Sequence, residues 1–196
     1  MKKIKYFLLH LFLLLNLFAL FSCNNSNYEL KSFIEDGKII ITIDGVRYYH
    51  NTEYELKEIS SKPIGTIKVY NARRSLFVNP IDTELKYIYA RKTSIIRDKD
   101  LAGIFVREDI TLPKLEEITN YKLTYNGKEY QIDIPKYYMT ESKITKIDLP
   151  CILLNCKIEF EDDPLIFYSL TIYQNNENYY IKNYDNKYVL LEDFTI

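Results

Sequence analysis

Short runs of alternating apolar and polar residues, broken by two-residue turn signals, make up most of this chain. Lys38 to Ile43 and Val46 to Tyr49 flank Asp44-Gly45, and Tyr121 to Tyr125 and Lys128 to Ile132 flank Asn126-Gly127. Asp-Gly and Asn-Gly suit a two-residue hairpin because both central residues need positive φ. In the second hairpin the register sets Leu123 opposite Tyr130 and Tyr121 opposite Ile132, all four on one face. The last third predicts a meander. Lys157 to Phe160 leads through Glu161-Asp162-Asp163-Pro164 into Ile166 to Gln174, with Ile166, Tyr168, Leu170 and Ile172 on one face. Tyr179 to Lys182 and Tyr188 to Phe194 follow after polar turns at Asn175–Asn178 and Asp185-Asn186. Gly65 to Tyr70, Leu85 to Ala90 and Gly103 to Arg107 supply further strands.

Helical spacing is scarcer. Thr52-Glu53-Tyr54-Glu55 fits a capping box with Leu56 and Ile59 behind it. Ser26 to Gly37 places Leu30, Phe33 and Ile34 on one side with Gly37 as a stop, and Leu112 to Ile118 is a third short candidate. The expected fold is mainly β, built of antiparallel hairpins and a C-terminal meander with one or two short helices. Thr42-Ile43-Asp44-Gly45-Val46-Arg47-Tyr48 and Thr124-Tyr125-Asn126-Gly127-Lys128-Glu129-Tyr130 share threonine, turn pair and tyrosine. That likeness admits two subdomains split near residues 112–120, or simply two hairpins obeying the same turn chemistry.

The one long apolar run, Tyr6 to Phe21, follows Lys2, Lys3 and Lys5, the layout of a secretory signal. Its length of roughly 16 residues falls short of the about 20 that span a bilayer. Leu20-Phe21-Ser22-Cys23 then resembles the lipobox of bacterial lipoproteins, although Phe21 stands where that motif usually has a small residue. The resemblance implies cleavage before Cys23, a diacylglyceryl thioether on its sulfur and acylation of its new amine. Each buried methylene of such chains adds about 0.8 kcal/mol of membrane affinity. The implied organisation is a signal peptide over 1–22, a tether over 23–32 and a β-rich globular domain over 33–196. The implied location is the bacterial cell envelope, with Asn24 after the cysteine favouring the outer membrane in a double-membraned cell.

Composition narrows the partners. Removing residues 1–22 leaves 174 of 196 residues, and takes three of the 26 basic residues but none of the 27 acids, for a net charge of −4. No basic block is present to neutralise phosphates, which argues against nucleic acid, and Ala72-Arg73-Arg74-Ser75 is too small to serve. Nineteen tyrosines and ten phenylalanines stand without a tryptophan. They fit either a recognition surface or the codon bias of an AT-rich genome.

Candidate chemistry is sparse. Cleavage leaves His50 as the only histidine, which excludes multi-histidine zinc sites and the HExxH helix. No GxSxG elbow, Walker loop or dinucleotide fingerprint occurs, so no catalytic residue, metal site or cofactor is assigned. Glu161-Asp162-Asp163 could offer oxygens to calcium, yet it lacks an Asp-x-Asp-x-Asp-Gly loop and reads more simply as an acidic turn. Cys151 and Cys156 could pair in an exported protein. Along one strand, five steps of about 3.3 Å would separate them by roughly 16 Å, against the about 4.4–6.8 Å a disulfide spans. A bridge therefore needs Ile152 to Asn155 to fold back, and two free thiols are the other reading.

The functional expectation is a non-enzymatic binding or structural lipoprotein, held to the membrane through Cys23 and meeting a protein or glycan in the envelope or outside. The tyrosine-rich hairpin over 178–187 is its candidate patch. An inhibitor or immunity-like lipoprotein blocking a secreted enzyme or toxin shares that architecture. A carboxylate-based envelope hydrolase would need a cleft with two facing acids, one of raised pKa.

Overall fold

The computed structural model describes residues 28–69, 72–92, 101–147, 151–192 and 194. The signal segment, Cys23 and residues 24–27 of the expected tether lie outside the described residues. Among those described, fourteen strands form two antiparallel sheets, with a single helix of six residues. The protein is mainly β.

The first sheet has the order β1-β2-β3-β8-β7-β6-β5. Its strands are β1 (Leu30–Glu35), β2 (Lys38–Ile43), β3 (Val46–Asn51), β5 (Gly65–Val69), β6 (Ala72–Phe77), β7 (Tyr87–Lys92) and β8 (Ile104–Arg107). Its two terminal strands, β1 and β5, approach with Cα atoms within 8 Å of each other, and the Ser32 hydroxyl donates to the Lys68 carbonyl. The sheet thus curls into a nearly closed barrel, which shields most of its edge pairing groups. Ile39, Ile41 and Ile43 of β2, Tyr48 of β3, Ile67 and Val69 of β5, Leu76 of β6 and Phe105 of β8 fill it.

The second sheet runs β10-β9-β11-β12-β13-β14, from β9 (Tyr121–Tyr125), β10 (Lys128–Tyr130), β11 (Ile152–Phe160), β12 (Ile166–Asn175), β13 (Asn178–Lys182) and β14 (Tyr188–Leu190). On the flank of β12 away from β11, β13 pairs with residues 173–175, and β4 (Tyr54–Leu56) pairs with residues 166–168. A strand from the N-terminal half is therefore stitched into the C-terminal sheet. The inner face of this sheet packs against Ile104 and Val106 of β8, Tyr87 of β7, the connecting segment at Leu115 and Ile118, and the helix α1 (Ile134–Met139). Strands β7 and β8 thus border two cores, the barrel's on one face and the second sheet's on the other, and Tyr87 Oη adds a 2.5 Å bond to Asp163 in the β11–β12 turn.

Both predicted two-residue hairpins form. Asp44 and Gly45 take φ of 51° and 85°, Asn126 and Gly127 48° and 74°, and Leu123 stands opposite Tyr130. Ile132 is not paired with Tyr121, because β10 ends at Tyr130. The Tyr121 hydroxyl instead donates to the Ile132 carbonyl and accepts from the Ile134 amide. The two hairpins lie in different sheets, one in the middle of the barrel and one at an edge.

The helix expectations fail in instructive ways. Leu30, Phe33 and Ile34 belong to β1, because Asp36-Gly37 (φ of 50° and 75°) is a third two-residue turn, pairing Glu35 with Lys38. Strand β1 accordingly starts at Leu30, and Tyr28 before it packs against the barrel core. At Asn51 the side-chain carbonyl accepts from the Glu53 and Tyr54 amides, turning the chain out of β3 and into β4 instead of starting a helix. Residues 112–118 form turns in which Leu115 and Ile118 reach the core. The helix among the described residues, α1, matches none of the three expected stretches, because six residues are too few to display a period. Its start is local chemistry, with Asp133 accepting from the Lys136 amide and Pro135 in the first turn.

Candidate binding surface

On the outer side of the barrel the register sets Phe33, Ile40 and Tyr49 side by side across β1, β2 and β3. The row continues to Val106 and Tyr87, where the second sheet covers it. On the uncovered part Ile40 is buried, while Phe33 and Tyr49 remain 40% and 36% exposed. Arg47 comes from the neighbouring row, opposite Thr42. Its guanidinium carbon lies 5.6 Å from the Phe33 ring centroid and 5.5 Å from that of Tyr49. Glu35 accepts from Arg47 Nη2, and this bond above all holds the guanidinium pKa above its ordinary value. A planar cation between two aromatic rings, fixed by a carboxylate, is a preorganised recognition element. Ile34 and Val46, 51% and 40% exposed, extend it with apolar surface. Alternation in β1 and β3 announces these positions, but only the register brings them together.

The expected tyrosine patch over 178–187 is thinner than its composition implies. Tyr179 is buried against Phe194 with ring centroids 5.3 Å apart, and Tyr188 packs edge-on against Tyr173 at 5.0 Å with Lys182 near both. Only Tyr184 of that hairpin is exposed. Tyr48, Tyr54, Tyr87 and Tyr137 are buried as well, so most described tyrosines serve packing rather than display.

Cys151 and Cys156 are free thiols. From Ile152 onward the chain is one continuous strand, so no loop forms to bring them together. Cys156 faces the core, and burial pushes its thiol up to about 11. In the acidic turn Glu161 and Asp162 are exposed, whereas Asp163 accepts from Tyr87 Oη and from the Leu165 amide. Among the described residues no three His, Cys, Asp or Glu side chains gather as metal ligands. An open cleft of about 590 Å³ beside α1 has Asp133 as its one carboxylate, and a second, of about 390 Å³ on the outer face of β11–β12, has Glu55. Asp133 is occupied in capping α1 and Glu55 accepts from the Ser169 hydroxyl, so neither cleft has two acids facing across it.

His50 extends from β3 on the same side as Tyr48, its ring 4.9 Å from Phe105 and its Nε2 2.8 Å from the Ala102 carbonyl. Burial, and after it the charge of Arg74, lowers its pKa, against the bond to Ala102.

These features define a two-sheet, mainly antiparallel β protein with a half-exposed aromatic–arginine face. No protein-family model matches the chain, and neither does any curated protein or solved structure compared with it.

Proposed function

We propose that the chain is a lipid-anchored protein of the bacterial cell envelope, tethered through Cys23, whose β domain binds a protein partner without chemistry. The observation that carries this reading is the Phe33–Arg47–Tyr49 cluster, two half-exposed rings holding a guanidinium on an uncovered sheet face. Aromatic and arginine side chains dominate protein-interface hot spots because they offer large contact area with little entropy to lose. The lipobox-like Leu20-Phe21-Ser22-Cys23 supplies the location, only seven positions before Leu30 opens β1. Since seven residues extend to at most about 25 Å, the β1–β3 face stays close to the membrane that holds the anchor.

The test has two arms. Cys23→Ala should move the protein from the membrane fraction to the soluble one. Phe33→Ala and Tyr49→Ala should leave it membrane-bound and folded while weakening the co-purified partner roughly 10- to 100-fold, the scale of hot-spot residues. Retention of the partner by the double variant would refute the surface, and membrane retention of Cys23→Ala would refute the anchor. An inhibitor of a secreted enzyme or toxin would appear in the same experiment as a single enzyme at one-to-one stoichiometry.

A further inference from the structure

Arg74 sits where the barrel pattern calls for an apolar residue. It lies two positions from Leu76 on β6, hence on the same face, and opposite Ile67 of β5. Leu76 and Ile67 belong to the barrel core, and Arg74 itself is 4% exposed. Its Nε and Nη1 are fully buried, and among the described residues neither has a hydrogen-bond partner. Two other barrel arginines have partners, Arg47 Nη2 in Glu35 and Arg107 in Asp109 with the Glu84 carbonyl, although Arg47 Nε is also buried without one. Among the described acids, Asp82 accepts from the Tyr87 amide and Asp109 from Arg107. On its other flank Arg74 is paired in register with Lys92 of β7, and its charge also reaches His50, so these neighbours bring no anion.

A guanidinium with two buried nitrogens and no counter-charge among the described residues is an unfavourable arrangement for a core. An oxyanion would relieve it, because the planar fork of Arg74 matches two oxygens at once. We propose that the barrel binds an oxyanion at Arg74, the phosphate of a free ion or of a lipid headgroup. This site lies inside the barrel and is independent of the Phe33–Arg47–Tyr49 face outside it.

The experiment uses the full chain in a non-ionic detergent and phosphate-free buffer, with His10→Gln so that His50 gives the only imidazole resonance. Inorganic phosphate and decyl phosphate are the probes. Either should move the His50 signal saturably and raise Tm by roughly 5 °C once about a hundredfold above its Kd. A response to inorganic phosphate assigns a soluble ion, and one to decyl phosphate alone assigns a lipid headgroup. Arg74→Met should abolish both responses yet melt no lower than the parent in phosphate-free buffer, since an apolar side chain replaces an unmatched charge. Arg74→Lys, which keeps the charge without the fork, should bind at least tenfold more weakly. Absence of any saturable response in the parent, or an equal response in Arg74→Met, overturns the proposal. So does a lower Tm for Arg74→Met with no anion effect in the parent, which would mean that the chain itself supplies the counter-charge.

Discussion

Gly103 precedes β8 at φ +84°, and a Cβ added there would lie 2.0 Å from the Asn51 carbonyl oxygen and 2.6 Å from the Thr52 Cα. Both contacts are backbone, so nothing flexible can yield. Gly103→Ala should cost at least about 2 kcal/mol and lower Tm by some 4–8 °C in a thermal melt. The tyrosines make a second prediction at this scale. Burial raises the phenols of Tyr48 and Tyr168 to about 12. The fold stabilises the neutral form, so their contribution is complete below the unfolded pKa of about 10 and is lost as pH climbs toward 12. Ultraviolet titration should show the half-exposed tyrosines ionising first and a buried set only when the protein unfolds in base. A single smooth titration near pH 10 with the fold intact would contradict this. Apolar positions on the strands were readable residue by residue, but Arg74 was not. Beside Arg73 it looked like part of a small solvated basic group, and β6 went unseen because its pattern breaks at that charge.

Among the elements, β11 illustrates what two-residue periodicity does to chemistry. Cys156 shares its inward face with Leu154 and Ile158, so its raised thiol pKa follows from strand parity. A maleimide should leave Cys156 unmodified in the native protein at neutral pH and label it in denaturant, as mass spectrometry of tryptic peptides would show. The turn after β13 depends on a single side chain. Asn183 is buried, and its Oδ1 accepts from the Asp185 and Lys187 amides while its Nδ2 donates to the Thr140 carbonyl at 2.9 Å. Asn183→Ala strands those groups, and urea unfolding should register a loss of about 2–3 kcal/mol. Hairpins were the most legible elements because their turns need particular residues. Asp36-Gly37 carried the same signal as Asp44-Gly45, yet the helical spacing of Leu30, Phe33 and Ile34 masked it. Strand length was less legible: β11 begins five residues before the Lys157 expected from alternation, since Ile152, Leu153 and Leu154 are consecutive apolar residues with no period.

At the scale of the molecule, sequence neighbours and spatial neighbours part company. β4 leaves the barrel half to pair with β12, Tyr87 reaches Asp163, and the Asn79 side chain donates to the Leu165 carbonyl at 3.4 Å. No local pattern encodes such long-range pairings, which is why the mainly β class was readable and the strand order was not. The candidate surface has the same limit: Phe33 of β1 meets Arg47 and Tyr49 of β3 only through the β1–β2–β3 register. Because Tyr87, Ile104 and Val106 of the barrel strands pack into the core of the second sheet, far-ultraviolet dichroism and tyrosine fluorescence should report one coincident unfolding transition rather than two. We propose that the outer face of β1–β3 is where the domain meets its protein partner. A photo-crosslinking amino acid at Tyr49, compared in living cells with the same probe at exposed Tyr184 on the other sheet, tests it directly. Position 49 should give one discrete high-mass adduct, absent at 184 and lost when Phe33 and Arg47 are replaced by alanine. No adduct at 49, or the same adducts at both positions, would contradict it.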